Sequence, residues 1–295
     1  MPASRLDSDI ASKTAELAAV ARAYHTLHES SQLFRDGLAI SMCGPVWRTI
    51  LSSRILIWFV TRVLMRRVMP IVPIIYTRAR FGEDCLEAAL EDGVTQLVIV
   101  GAGYDTFAFR RTDLGEKLVV YEIDHPATQE MKFRRMMAAG ISKPANARYV
   151  KCDLSAETVL NALGRTDFDA AKPAVFSWFG VAYYLDEATV QRTLSDLANG
   201  SAAGSSVVFD YLAAADSVAP EFRKLRKNVT EFVARRGEPM LSDINPGNVP
   251  DFLRKLGFSE IDNLEPGRVS ERYPDDRLDL KFPPIFGLCR AGLAG

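Results

Sequence analysis

From residue 95 onward, short apolar runs alternate with longer stretches whose apolar residues recur at helical spacing. The runs are QLVIVG from Gln96, KLVVYEID from Lys117, ARYVKCD from Ala147, AVFSWFG from Ala174, SSVVFDYL from Ser205, FSEIDNL from Phe258 and IFGLCRA from Ile285. Runs this short, bounded by turn residues and separated by helix-like segments, predict an α/β fold: a mostly parallel seven-stranded sheet with helices on both faces. In such a sheet ligands bind beyond the carboxyl ends of the strands, where successive connections part toward opposite faces. That rule selects Gly101 to Asp105, Glu122 to Asp124, Asp153 with Leu154, and Phe179 to Tyr184.

The pattern before residue 95 is different. The most hydrophobic region, VWRTILSSRILIWFVTRVLMRRVMPIVPIIY at 46–76, is interrupted by Arg48, Arg54, Arg62, Arg66 and Arg67. No charge-free run in it approaches the roughly 20 residues of a transmembrane span. Its spacing predicts an amphipathic helix with Ile55, Phe59 and Val63 on the packed stripe, lying on the domain or roofing a ligand cleft. Interfacial membrane contact through its basic, aromatic face is the alternative. The expected organisation is an N-terminal helical segment or lid at 1–75 and a ligand-binding domain at 76–295. Residues 212–250 read as an insertion able to shape a substrate pocket, with Trp47, Trp58, Phe222 and Arg226 as aromatic and basic candidates for its lining.

Composition narrows the partners. With 36 basic against 37 acidic residues the formal net charge is -1, which provides no field for collecting nucleic acid or an anionic membrane, so a small-molecule partner is expected. Cys43, Cys85, Cys152 and Cys289 form no CxxC pair and read as reduced thiols. Residues 1–30 show no basic start followed by an apolar block, which argues against a secretory leader and for a cytoplasmic location. His25 and His28 lie three apart on a predicted helix without an acidic or cysteine partner; they read as surface histidines, and no metal is expected.

The turn after the first run carries the chemistry. Gly101, Ala102 and Gly103 begin like a dinucleotide fingerprint, yet Asp105 and Thr106 follow where that fingerprint needs an unobstructed phosphate site and a third glycine. An aspartate there repels a pyrophosphate. S-adenosylmethionine, with adenosine, a zwitterionic amino acid and a cationic sulfonium but no phosphate, suits the same residues. Asp105 and Thr106 serve equally as helix caps. Glu122 and Asp124 lie about 20 residues further on, where an acid can accept from ribose hydroxyls. Asp153 can accept from the adenine amino group while Leu154 packs on the ring, or Asp153 can cap a helix beginning near Ser155.

Taken in order, GAGYDTFAFR, YEIDHP followed by Lys132, Asp153-Leu154 and GVAYYL resemble the leucine carboxyl methyltransferase family, over roughly residues 75 to 290. The resemblance implies a Rossmann-like class I methyltransferase fold, S-adenosylmethionine as cofactor, and methylation of an oxygen, often a carboxylate. Arg78, three residues before Phe81 in YTRARFGED, matches the family arginine that binds the cofactor's carboxylate, with Arg80 as a possible second; a guanidinium pairs a carboxylate through two parallel hydrogen bonds. The family pattern E-G-x-x-x-Y-L is broken here, because Phe179 stands in place of the glutamate. An aromatic face beside a sulfonium can substitute in part through cation-π attraction. Tyr183 and Tyr184 are the catalytic candidates, steering the acceptor by a hydroxyl or facing the sulfonium. A carboxylate acceptor needs no general base, consistent with only three histidines, of which His125 reads as a cap beside Pro126. Two rivals share parts of this pattern: a nicotinamide-dependent oxidoreductase, and a non-catalytic ligand-binding or membrane-associated protein.

Overall fold

The computed structural model describes residues 12–29, 32–273 and 284–295. Of the residues 1–30 on which the expectation about a leader rests, 1–11 and 30 lie outside the described set. All seven expected strands form: β1 (Gln96–Val100), β2 (Val119–Asp124), β3 (Ala147–Lys151), β4 (Ala174–Trp178), β5 (Ser206–Leu212), β6 (Glu260–Leu264) and β7 (Phe286–Gly292). They make one sheet in the order β3-β2-β1-β4-β5-β7-β6. The first five pair in parallel, with Leu97 opposite Val120 on one side and Val175 on the other. β7 runs antiparallel between β5 and β6.

Before the sheet lie α1 (Lys13–His28), α2 (Pro45–Ser52), α3 (Arg54–Phe59) and α4 (Val72–Glu91). Between its strands lie α5 (Phe107–Arg110), α6 (Pro126–Ala138), α7 (Val159–Leu163), α8 (Glu187–Gly200), α9 (Pro220–Ala234), α10 (Val249–Lys255) and α11 (Val269–Arg272). Strand side chains alternate between two cores, as the two-residue period of a strand requires. Leu97 and Ile99 face a core shared with α1, α4 and α9, whereas Val98 and Val100 face one shared with α7, α8 and α10. The helix ends are locally encoded. Ser12 accepts from the Ala15 amide at the start of α1, Asp186 accepts from the Thr189 amide at the start of α8, and α4 opens with Pro73 in its first turn.

Two sequence expectations need correction. Residues 46–76 do not form one amphipathic helix. The chain breaks after α2 at Ser53, whose hydroxyl caps α3, and α3 continues into a wide π turn over Val60–Leu64 before a 3-10 turn leads into α4. The stripe expected to pack is the one that faces out: Ile55 is 79% exposed, Phe59 46% and Val63 53%, while Ile57 and Val60 face in. A helix apolar on every side has no unique packing stripe, so periodicity alone chose the wrong one. The histidines are not on the surface either. His25 is fully buried, stacked on Tyr76 at 3.7 Å and bonded to Glu29, and His28 bonds the Leu51 carbonyl at 2.8 Å. Among the described residues the four cysteines are free and buried, and burial pushes the Cys43 thiol up to about 12. No helix of the described residues is long and apolar enough to cross a membrane.

Candidate active site

A cavity of about 440 Å³ opens at the carboxyl ends of β1 to β4. This is where the sheet order reverses: β1 lies between β2 and β4, so the connections after β1 and β4 diverge and leave a crevice. Arg78, Gly101, Ala102, Gly103, Asp105, Asp124, Asp153, Leu154, Phe179, Tyr183 and Tyr184 all line it. One chamber thus gathers residues spread over more than a third of the sequence.

The first turn is fixed by backbone geometry and by the acid of the neighbouring strand. Gly101 has φ +69 and Gly103 φ +52, left-handed conformations that side chains disfavour, and a Cβ on Gly101 would sit 2.3 Å from Val181 Cγ2. The Gly101 and Ala102 amides donate to the Ile123 carbonyl at 2.8 and 3.0 Å. Asp124 accepts from the Gly103 amide through Oδ2 and from the His125 amide through Oδ1 at 2.6 Å. Burial raises the Asp124 carboxyl above its ordinary range, with those two amides opposing the rise. Asp105 accepts from the Phe107 amide at 2.6 Å, so its capping role is real. Asp153 accepts from the Ser155 amide at 2.9 Å in a turn; the next helix begins only at Val159, capped by Thr158.

Arg78 is not a surface arginine of α4. Its side chain is 13% exposed, and Nη1 donates to Asp210 Oδ2 at 2.8 Å and to the Tyr183 hydroxyl at 3.0 Å. Burial opposes the charge, yet Asp210 and Tyr183 keep the guanidinium firmly protonated. Asp210 also accepts from the Gly180 amide at 2.6 Å, and Gly180, at φ +74, leaves space that a Cβ would take from the Arg78 guanidinium at 2.6 Å. Phe179 packs on α4 where Gly82 has no side chain: a Cβ there would lie 2.6 Å from the ring. Burial holds the hydroxyls of Tyr183 and Tyr184 protonated well above the usual phenol range.

The opposite wall comes from α1, from Ile57 to Ile71, and from Val229 to Leu241. Three contacts tie these parts together. Glu238 accepts from the Lys13 amide at 3.0 Å and from the Thr14 hydroxyl, and the Leu241 amide donates to the Tyr183 carbonyl at 2.7 Å. Of the aromatic and basic candidates, Trp47 reaches the cavity, while Trp58 is 60% exposed, Phe222 packs on the core and Arg226 pairs with Asp243.

Three sequence-selected residues lie elsewhere. Glu122 is fully buried and paired to Lys132, with burial raising its carboxyl and its Oε1 left without a partner among the described residues. It sits inside the sheet two residues before the strand end, and only Asp124 reaches the crevice. Thr106 caps nothing; its hydroxyl donates to Asp36 at 2.7 Å. Arg80 points away from the cavity and pairs with Asp84 at 2.7 Å. Asp210 and Glu238 were not selected from sequence. The only signal for Asp210 was an acid inside the apolar run SSVVFDYL, and for Glu238 there was none.

Comparison with known proteins gives one consistent picture. The family model for leucine carboxyl methyltransferases matches residues 15–198. A Bacillus subtilis protein named as an S-adenosyl-L-methionine-dependent methyltransferase is 28% identical over 91% of this chain and 93% of its own. A Mycolicibacterium paratuberculosis protein named in the same way is 35% identical over 72% of each chain. In fold, a DUF574-family protein from Streptomyces avermitilis superposes with a TM-score of 0.61 at 16% identity, covering 98% of this chain and 100% of that one. A Thermobifida fusca protein named as a methyltransferase superposes with a TM-score of 0.60 at 15% identity, over 96% and 98%.

Proposed function

The chain belongs to the leucine carboxyl methyltransferase family and is an S-adenosylmethionine-dependent methyltransferase, and from that premise we propose that it methylates an oxygen, a carboxylate foremost, on a small molecule. The residues fit the cofactor. A glycine cradle that a Cβ would fill, an arginine at one end and an acid at the β2 end suit its amino-acid and ribose parts, and no basic cluster for phosphates is needed.

When bound, S-adenosylmethionine would supply a methyl carbon on a cationic sulfonium to the acceptor oxygen, its carbon–sulfur bond breaking to leave neutral S-adenosylhomocysteine. In this reading Arg78 takes the carboxylate of the cofactor. Its bonds to Asp210 and Tyr183 both use Nη1, which leaves donors for a ligand out of the five a guanidinium has. Asp124 accepts from the ribose; two backbone amides occupy part of its capacity, and an ionised carboxylate has about four acceptor sites. Gly101, Ala102, Gly103 and Asp105 surround the methionine portion, Asp153 and Leu154 hold the adenine, and the Phe179 ring faces the sulfonium. The described part of the segment 1–75 and the insertion at 212–250 act as the acceptor's enclosure, and 76–295 as the methyltransferase domain.

The observation that carries the carboxylate reading is how the cavity's candidate bases are engaged: the Tyr183 hydroxyl is tied to Arg78 and Asp210, and His125, the one histidine among the described lining residues, caps α6 by accepting from the Ala127 amide. Phenols held protonated by burial cannot take an acceptor's proton at neutral pH. An acceptor that is already ionised suits such a site, and orientation in a closed chamber then supplies most of the rate, up to roughly 7–11 kcal/mol in favourable intramolecular cases. Mass spectrometry of candidate acids incubated with enzyme and cofactor tests this. The expected product gains one methyl group and loses it on alkaline hydrolysis, as an ester does; a methyl group that survives hydrolysis overturns the carboxylate reading.

A further inference from the structure

The segment between Asp36 and Glu83 holds no acidic residue, and its outer surface gathers exposed apolar side chains. Seven of the ten large hydrophobic side chains exposed among the described residues fall between 46 and 64: Val46, Ile55, Leu56, Trp58, Phe59, Val63 and Leu64. α3 and the π turn after it rest on a narrow stripe of Ile57, Val60 and Thr61, which lines the cavity, so most of their circumference faces out and is apolar. Arg48, Arg54, Arg62, Arg66 and Arg67 are all exposed around it, and none forms an ion pair among the described residues. A protein of net charge -1 thus keeps a local block of cations and aromatic residues at the outer wall of its binding chamber.

We propose that this segment is a docking surface for an anionic lipid bilayer. Trp58 and Phe59 suit the headgroup boundary, the aliphatic side chains suit the acyl region, and unpaired arginines complement anionic headgroups. A second copy of the chain fits less well, because a two-fold interface would set the arginine block against itself with no carboxylate on either side. Docking does not depend on the methyl-transfer reading and is measured apart from it.

The test is sedimentation of the full chain with phosphatidylglycerol-phosphatidylcholine vesicles and with phosphatidylcholine vesicles alone. The wild type is expected to sediment with the anionic vesicles and to be released by salt. The double variant Arg54→Gln/Arg62→Gln should bind on the order of 25-fold more weakly, from about five-fold for each arginine near such a surface. Trp58→Ser/Phe59→Ser should lose a similar factor. Both pairs are exposed, so unchanged circular dichroism and unchanged S-adenosylhomocysteine affinity will verify that folding is intact. Wild type that ignores anionic vesicles overturns the proposal, as does undiminished binding by both variants. A concentration-dependent dimer that Trp58→Ser abolishes assigns the patch to a second copy and overturns it equally.

Discussion

At the strand ends, Gly101, Gly103, Asp124, Arg78 and Asp210 hold one another through backbone amides and a buried ion pair. Across the cavity, the wall from Ile57 to Ile71 and from Val229 to Leu241 offers mainly apolar side chains, joined to the rest by a few polar ties at Glu238 and Leu241. Polar groups that must meet at hydrogen-bond distance tolerate little displacement, whereas apolar walls tolerate exchange of shape for shape. The strand-end half is therefore suited to a ligand that never changes, and the opposite half to one that differs between relatives.

The contrast predicts a graded series. Arg78→Ala should do the most damage, because it strands Asp210 in a buried position: a loss of about 3–5 kcal/mol in unfolding free energy is expected, together with loss of S-adenosylhomocysteine binding, by denaturant titration and calorimetry. Retained stability would mean that Asp210 finds another partner. Gly101→Ala comes next. The left-handed backbone and the collision with Val181 should cost about 1–3 kcal/mol and impair cofactor binding, while Ala102→Gly should not.

Asp124→Asn should weaken S-adenosylhomocysteine by about ten-fold, near 1.4 kcal/mol, through poorer acceptance from hydroxyls. Its pH dependence sharpens the point. The charged form is the better acceptor, and burial raises the pKa, so protonation removes that form at a higher pH than for an exposed aspartate. Affinity should accordingly fall on acidification while ordinary carboxylates are still ionised, and the fall should vanish in Asp124→Asn. The smallest effect belongs to the apolar wall. Ile57→Val should cost about 0.5–1.5 kcal/mol and leave S-adenosylhomocysteine affinity unchanged while raising the acceptor's KM. If Ile57→Val weakened the cofactor as much as Asp124→Asn, the division into two halves would be wrong.

The two halves also differed in how far they could be read before folding. Seven strands announced themselves as apolar runs with turn residues at their ends, and the sheet rule then selected most of the cavity residues that follow the strands, though none of the opposite wall, because a ligand at the strand ends must meet whatever follows each strand. Arg78 needed the family resemblance, since a helix pattern cannot say whether an arginine faces solvent or a buried aspartate. Glu122 was misplaced by proximity: two acids on one strand face share an orientation, but only the one at the strand end reaches the crevice.

Local pattern, then, sufficed for the strands, their turn glycines and the acid at the β2 terminus, because each is dictated by neighbours within a few residues. The pairing of Arg78 with Asp210, the burial of His25 and the outward face of Ile55, Phe59 and Val63 were chosen by packing in three dimensions. Those outcomes depend on which surfaces meet once the chain is folded, across 132 residues for Arg78 and Asp210, and a periodic apolar pattern is compatible with several such meetings while only one fills the core.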